Sequence, residues 1–358
     1  RSTQAKTLFP YTTLFRSSHS TPALTTSRLD HYVYTLESLK SAVKLLTENG
    51  VLVLAFLPQR HYVIERLARS LKVVLLQEPI IFNVENSELG WGAVIFIAGD
   101  HSRIGKGLAG DPALAAIINS KIYAESSLAT TEVKPTTDNW PYLYLLGPTI
   151  PTLFLVLGII LVLLWMESSK AILKNVSLKE IMGEDGIFFA AMGAGFSLFQ
   201  VFGVNQAAIL FGSSWIVNSI VISAILVMIM IANVIQQRFG LFKSRPLIIT
   251  SLIFSLLAIY STSFSDLIHL SPLHKSIIVL LVFGGPMFLS GICFAATFEK
   301  TTNRSHALAA NLFGALIGGT LQLSTFAFGI KSLILLSVGA YLIALICSVA
   351  AARKLQVD

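Results

Sequence analysis

The sequence predicts two parts in series: a short α/β segment, then an α-helical bundle of six or seven membrane spans. Three observations carry this expectation. From residue 150 to residue 352 apolar runs follow one another, each long enough or nearly so to cross about 30 Å of hydrocarbon. Before residue 136, charged residues and Gly/Pro punctuation are spread as in a water-soluble domain. Between them lies Thr136-Thr137-Asp138-Asn139-Trp140-Pro141-Tyr142-Leu143-Tyr144. Trp140, Tyr142 and Tyr144 carry amphipathic rings that favour a headgroup layer, and Pro141 ends any helix before it. The expected boundaries are 18–135 for the α/β part, 136–149 for the junction and 150–352 for the bundle.

Composition agrees. Of 358 residues 54% are hydrophobic and 13% charged, with a mean hydropathy of +0.72, whereas globular domains hold about 25% charged residues. The net charge of +7 collects between the C-terminal apolar runs, as inter-helix loops require, so no nucleic-acid partner is expected. Cys293 and Cys347 both lie inside apolar runs, so neither a disulfide framework nor a metal site is expected.

The chain begins at Arg1, and a fragment of a longer protein is expected. Thr7 to Ser17 reads as the translation of a sequencing adapter, and residues 1–17 are set aside from fold reasoning; an amphipathic targeting peptide is the alternative.

In the α/β part, Leu39, Val43 and Leu46 recur at helical spacing over Glu37 to Leu46, ended by Asn49-Gly50. Val51 to Phe56 is short, wholly apolar and β-branched, which predicts a strand buried on both faces, typical of a parallel sheet. A second amphipathic helix is expected over about Tyr62 to Leu71. Pro79 to Val84 and Trp91 to Ala98 then read as strands whose short link suggests a hairpin. Helix, strand, helix and closing hairpin make the back half of a doubly wound sheet. Gly105-Lys106-Gly107-Leu108-Ala109-Gly110 matches G-x-G-x-x-G, but six residues separate it from the preceding strand and no strand follows its helix. It is expected to be a mobile glycine loop and not a dinucleotide site.

The run Tyr32-Val33-Tyr34-Thr35-x-Glu37-Ser38, then Gly50-Val-Leu-Val-Leu, Gly90-Trp91-Gly92 and Thr137-Asp138-x-Trp140-Pro141-Tyr142-Leu143-Tyr144 resembles the membrane-fused spermidine synthase-like proteins of bacteria. These are relatives of class I S-adenosylmethionine-dependent methyltransferases and aminopropyltransferases. The resemblance runs through nearly all of residues 18–358. It implies the C-terminal half of a Rossmann-like methyltransferase domain, with S-adenosylmethionine or decarboxylated S-adenosylmethionine as donor in the intact parent. It also implies that the Gly-rich cofactor turn, its acidic partner and the catalytic acid lie upstream of Ser18. No cofactor is therefore expected for this chain, which is expected to be inactive by itself. Substrate-lining candidates are Tyr32, Tyr34, Glu37 and Trp91. Glu37 also sits where a helix N-terminus favours an acid, and the alternation of Tyr32 and Tyr34 also suits an extended approach to that helix.

Candidate spans are Ile150 to Met166, Ile187 to about Leu210, Trp215 to Ile235, Leu247 to Phe264, Ile277 to Phe298, Ala307 to Phe328 and Leu333 to Ala352. The last six resemble half of a major facilitator-type transporter, with Arg238 to Arg245 placed like that fold's cytoplasmic loop. Basic loops at Arg238/Lys243/Arg245, Lys300/Arg304 and Arg353/Lys354 should face the cytoplasm. Six crossings leave the α/β segment in the cytoplasm of a bacterial inner (plasma) membrane protein, which is the expected arrangement; seven leave it outside. The run Ile187 to Leu210, interrupted by Gly193, Gly195 and Gly203 among Gln200, Asn205 and Gln206, is the one expected to fail to cross and to re-enter instead. Polar residues at membrane depth are Gln200, Asn205, Asn218, Asn233, Asn311 and Gln322, with interhelical hydrogen bonding as the bland role and a substrate path as the functional one. Gly314-x-x-x-Gly318 predicts a close helix contact.

Two functions follow as expectations. In the first, the parent is a membrane-anchored spermidine synthase-like transferase acting on a polyamine or another small molecule. In the second, the bundle is the working part, transporter-like or lipid-handling, and the α/β segment is a degenerate regulatory cap. The lipid bilayer is the partner common to both.

Overall fold

The computed structural model describes residues 29–47, 50–58, 60–85, 92–123, 133–173, 184–211, 215–240, 244–268 and 270–357. The chain divides into two compact units, residues 1–147 and 148–358.

The first unit opens with a 3-10 turn, Leu29–Tyr34, and continues through α1 (Leu36–Lys44), β1 (Leu52–Phe56), α2 (His61–Leu75), β2 (Ile80–Val84), β3 (Ala93–Ala98), α3 (His101–Ala109) and α4 (Pro112–Ser120). The strands form one sheet in the order β1-β3-β2, both pairings antiparallel. The hairpin between β2 and β3 is as expected. Because β3 opposes both neighbours, β1 and β2 run in the same direction, joined by α2 as a crossover. Alternation sends Leu52 and Phe56 to one face with Val94, Phe96 and Ile81, where Leu39 of α1 and Leu67 of α2 complete the core.

The expectation that β1 is buried on both faces is not met. It is an edge strand among the described residues, and Val53 remains 53% exposed. An unbroken apolar run records tolerance for burial on either face, not the presence of a cover.

The glycine motif is also corrected. Gly105 and Gly107 lie within α3, not in a loop. Asp100 starts that helix by accepting from the Ser102 backbone N–H at 2.8 Å, and Ile104 anchors it by burial. A Cβ at either glycine would meet nothing within 4 Å, so no close backbone approach calls for them.

The junction aromatics belong to the first unit. Tyr142 and Leu143 are buried, and the Tyr144 ring packs 6.3 Å from that of Phe56. They complete an α/β core, where a membrane-interface belt was expected.

The second unit is helical: α5 (Thr152–Leu173), α6 (Glu184–Phe211), α7 (Trp215–Phe239), α8 (Arg245–Tyr260), α9 (Pro272–Phe298), α10 (Arg304–Leu321, extended by a turn at Thr325–Phe328) and α11 (Ser332–Val357). Among the described residues, five of them, α6, α7, α9, α10 and α11, are long and apolar enough to cross a bilayer. With 16 residues, α8 reaches about 24 Å at 1.5 Å per residue.

α6 is one continuous helix of 28 residues, so the expected interruption is absent. Its glycines serve packing. A Cβ at Gly193 would lie 2.0 Å from the Asn311 carbonyl oxygen, and one at Gly195 2.8 Å from the Tyr341 ring. From the other side, Cβ atoms at Gly314 and Gly318 would lie 1.8 and 2.7 Å from the carbonyl oxygens of Ala190 and Ala194. Stepping together by four, these contacts make α6 and α10 parallel.

Short links and two lysines fix the remaining directions. Lys275 Nζ donates to the Leu210 carbonyl at 3.2 Å, joining the start of α9 to the end of α6. Lys331 Nζ donates to the Tyr260 carbonyl at 3.1 Å, joining the start of α11 to the end of α8. The helices α6 to α11 therefore alternate. Arg238, Arg245, Lys300, Arg304 and Arg353 gather at one end, and Lys275 and Lys331 at the other. α5 begins at this second end: Phe154 packs 5.0 Å from Phe326, and Gly158 lies near Leu323.

Candidate functional site

In an α/β sheet, ligands are received outside the carboxyl ends of like-directed strands, where backbone polar groups and loop side chains converge. β1 and β2 end on the same edge, and a cleft of about 450 Å³ opens there. That volume is of small-molecule size. Leu57 and Pro58 follow β1 into it, Asn83 and Glu85 come from the end of β2, and Gly92 and Ala93 from the start of β3. Arg60 and His61 enter from the start of α2, and Tyr123 from beyond α4.

The cleft is polar on one side and ringed on the other. His61 Nδ1 is 3.1 Å from Glu65 Oε1 one turn along α2, and its ring centroid is 5.8 Å from that of Tyr123. Glu85 and Asn83 supply acceptors for an ammonium or hydroxyl group, and Arg60 supplies a cation. Tyr123 is held in place through its backbone: its N–H donates to the Ile81 carbonyl at 2.8 Å, and Asn83 N–H donates to the Lys121 carbonyl at 3.0 Å. The segment after α4 thus closes the outer edge of β2.

Of the substrate-lining candidates, Tyr32, Tyr34 and Glu37 are brought together, but at the junction; none of the three lines the cleft. Glu37 Oε2 accepts from the Asp138 backbone N–H at 2.9 Å, and Thr35 Oγ1 donates to Asp138 Oδ1 at 2.6 Å. Thr136 Oγ1 donates to the Tyr34 carbonyl at 2.8 Å, while the Tyr34 ring meets Phe56 edge-on at 5.2 Å. Tyr32 is buried, and its hydroxyl has no hydrogen-bond partner among the described residues. Burial, reinforced by nearby Tyr142 and Asp138, holds that phenol well above its ordinary pKa. Trp91 lies outside the described residues, although its neighbour Gly92 lines the cleft.

Among the described residues, the largest fully buried side chain is Arg66. Its guanidinium donates to the carbonyls of Lys134 (2.9 Å), Leu143 and Leu146 (2.9 Å), between the rings of Tyr62 (5.7 Å) and Trp140 (5.4 Å). Desolvation draws its pKa down to about 10. Tyr62 adds a bond from its hydroxyl to the Tyr144 carbonyl at 2.5 Å. One face of α2 therefore clamps the junction, while the first turn of the same helix walls the cleft.

In the bundle, Asn205 is buried and Nδ2 donates to the Val201 carbonyl of its own helix at 2.8 Å. Gln200, Asn233, Asn311 and Gln322 are half-buried, and the Asn218 side chain lies outside the described ones. The bonds that join helices come from residues the sequence reading passed over. Ser337 Oγ donates to the Gly195 carbonyl at 2.8 Å, and Ser290 Oγ lies 3.2 Å from Tyr341 Oη. Hydroxyls in apolar runs carry no sequence signal of their own. The cleft residues had one: Arg60 and Glu85 each stand just after a strand end.

Comparison of the chain with protein-family models, with curated proteins and with solved structures returns no match.

Proposed function

We propose that this chain is part of a multi-pass bacterial inner-membrane protein in which a helical bundle anchors a spermidine synthase-like transferase unit, and that the strand-end cleft takes the amine acceptor. The donor is a sulfonium nucleoside of the S-adenosylmethionine type. One observation carries this: β1 and β2 run in the same direction through the crossover helix α2, and the cleft lies at their carboxyl ends with Glu85 and Asn83 in its lining. A carboxylate there offers an ammonium group its counter-charge, and Tyr123 with His61 flanks the methylenes between two amines. Among the described residues no glycine-rich turn follows a strand end, so the donor is assigned no residue here. Titrating putrescine and S-adenosylmethionine separately into the reconstituted chain tests the assignment. The expected result is heat for putrescine, lost in Glu85→Gln, and none for S-adenosylmethionine. Micromolar binding of S-adenosylmethionine with no binding of putrescine overturns it.

A second reading has its own support. The positive-inside rule assigns the end bearing Arg238, Arg245, Lys300, Arg304 and Arg353 to the cytoplasm, while the first turns of α5 pack at the opposite end. Entry from the outer face removes the α/β unit from cytosolic sulfonium donors and favours the bundle as the working part, transporter-like or lipid-handling. A reporter inserted at Gly147 decides. Activity confined to the cytoplasm supports the transferase; activity confined to the periplasm supports the bundle.

A further inference from the structure

A groove of about 530 Å³ runs along the bundle between α6, α10 and α11. Its floor is made of small residues, among them Ala190, Ala191 and Ala194, and its walls are Phe313, Ile317 and Leu336. From Gly186 to Leu198 it follows about 18 Å of helix at 1.5 Å per residue. Elsewhere in this bundle small residues are consumed by contact, as where Gly314 meets the Ala190 carbonyl oxygen. On the α11 side of the groove one is not: a Cβ at Gly339 would meet nothing within 4 Å. Helix packing therefore accounts for the glycines of the α6/α10 seam but not for the space beside α11.

One end of the groove, at Gly186, Ala310 and Ile343, faces the basic end of the bundle. On α10 the lining stripe Ile317, Phe313, Ala310 continues at helical spacing to His306, with Arg304 beyond it. On α11 the stripe Gly339, Ile343 continues through Ile346 and Ala350 to Arg353. By position Glu167, Glu184, Asp185 and Glu299 are the described acids towards this end, against Arg304, Arg353, Lys300, Arg238 and Arg245.

We propose that this groove is a binding site for an anionic phospholipid, with one acyl chain along the floor of α6 and the phosphate held at Arg304 and Arg353. An acyl chain matches the length and the wholly apolar lining, and basic residues beyond the end of such a groove select a negative headgroup. The site stands independently of what the α/β unit does.

Native mass spectrometry of the full chain in detergent tests it, with phosphatidylglycerol and phosphatidylcholine of matched chains as probes. Retention of phosphatidylglycerol in preference to phosphatidylcholine is expected, with the preference falling about fivefold for each of Arg304→Gln and Arg353→Gln. Gly339→Phe, which fills the groove, should abolish retention. Leu336→Trp is the second filling variant if the first does not fold. Equal retention of the two lipids overturns the proposal, as does undiminished retention in a folded groove-filling variant. A lipid-free dimer of the wild type overturns it too, since a second copy then covers the groove.

Discussion

Arg66 Nε donates to the Lys134 carbonyl at 2.9 Å across 68 residues of chain, a buried cation held by backbone oxygens instead of a carboxylate. Together with the bonds to Leu143 and Leu146 it fixes the last stretch of the α/β unit onto α2. The arrangement needs a planar fork with several donors, which arginine has and lysine lacks.

Arg66→Met leaves these carbonyls without their donors, and each such loss costs about 1–3 kcal/mol. Chemical denaturation followed by Trp140 fluorescence should show the unit destabilised by about 3 kcal/mol or more, with Arg66→Lys recovering less than half. Near-native stability of the lysine variant would mean that charge, and not the fork, is what the site requires.

Tyr32 makes a pH prediction. Its folded-state pKa is raised, so above the ordinary phenol value the unfolded chain binds fewer protons than the folded one. Its contribution is present in full below about pH 10 and is lost as the pH rises through the folded value. Arg66 works in the opposite sense. Its folded pKa of about 10 lies below the ordinary guanidinium value, so the unfolded state binds more protons between the two and stability rises with pH there. Tyr32→Phe removes a buried hydroxyl that lacks a partner among the described residues. It should change stability by less than about 1 kcal/mol at pH 7 and stabilise the unit increasingly above about pH 10. Parallel pH profiles of variant and parent would contradict this.

The glycines of the bundle separate into two kinds. Gly314→Ala drives a methyl into the Ala190 backbone and should cost about 1–3 kcal/mol, read as a lower aggregation temperature in detergent. Gly339→Ala enters open space and should leave that temperature unchanged or raise it through helix propensity. Equal effects at the two positions would show that the seam is looser than its geometry.

The ends of the bundle can be told apart by labelling. In a Cys293→Ser/Cys347→Ser background, Ser244→Cys lies at the basic end and Ser263→Cys at the other, and both positions are exposed. An impermeant maleimide should reach Ser263→Cys in intact cells and Ser244→Cys only after lysis. The reverse order would invert the bundle and place its basic loops outside.

Much of this architecture was legible because hydropathy is written along one dimension. The apolar runs from Trp215 and Leu333 became helices with nearly the expected bounds, and a short link predicted the β2–β3 hairpin. What was not legible depends on partners far along the chain. Tyr142 and Tyr144 look alike as membrane anchors or as core, and only their contacts with the unit that holds Phe56 and Tyr62 decide. Glycine in an apolar run signals a break and a close contact equally, so α6 was expected to be interrupted where it packs most tightly. The cleft was hidden because its residues come from five separate stretches of chain, and sequence spacing does not record which strand ends share an edge. Tyr32, Tyr34 and Glu37 did form a cluster, with the junction as their partner.

The seam between Gly193 and Gly314 also sets an order of assembly. α6 leaves the ribosome with a face pitted for a helix whose matching glycine is 121 residues further on. At about 5–20 residues per second that helix follows roughly 6–24 s later. For that interval the backbone of α6 along the seam has lipid or insertion machinery for company, and α7, α8 and α9 must enter before it meets its mate. The tightest contact of the bundle therefore forms late, with only α11 still to follow, so truncation before α10 strands the helix on which the others are assembled.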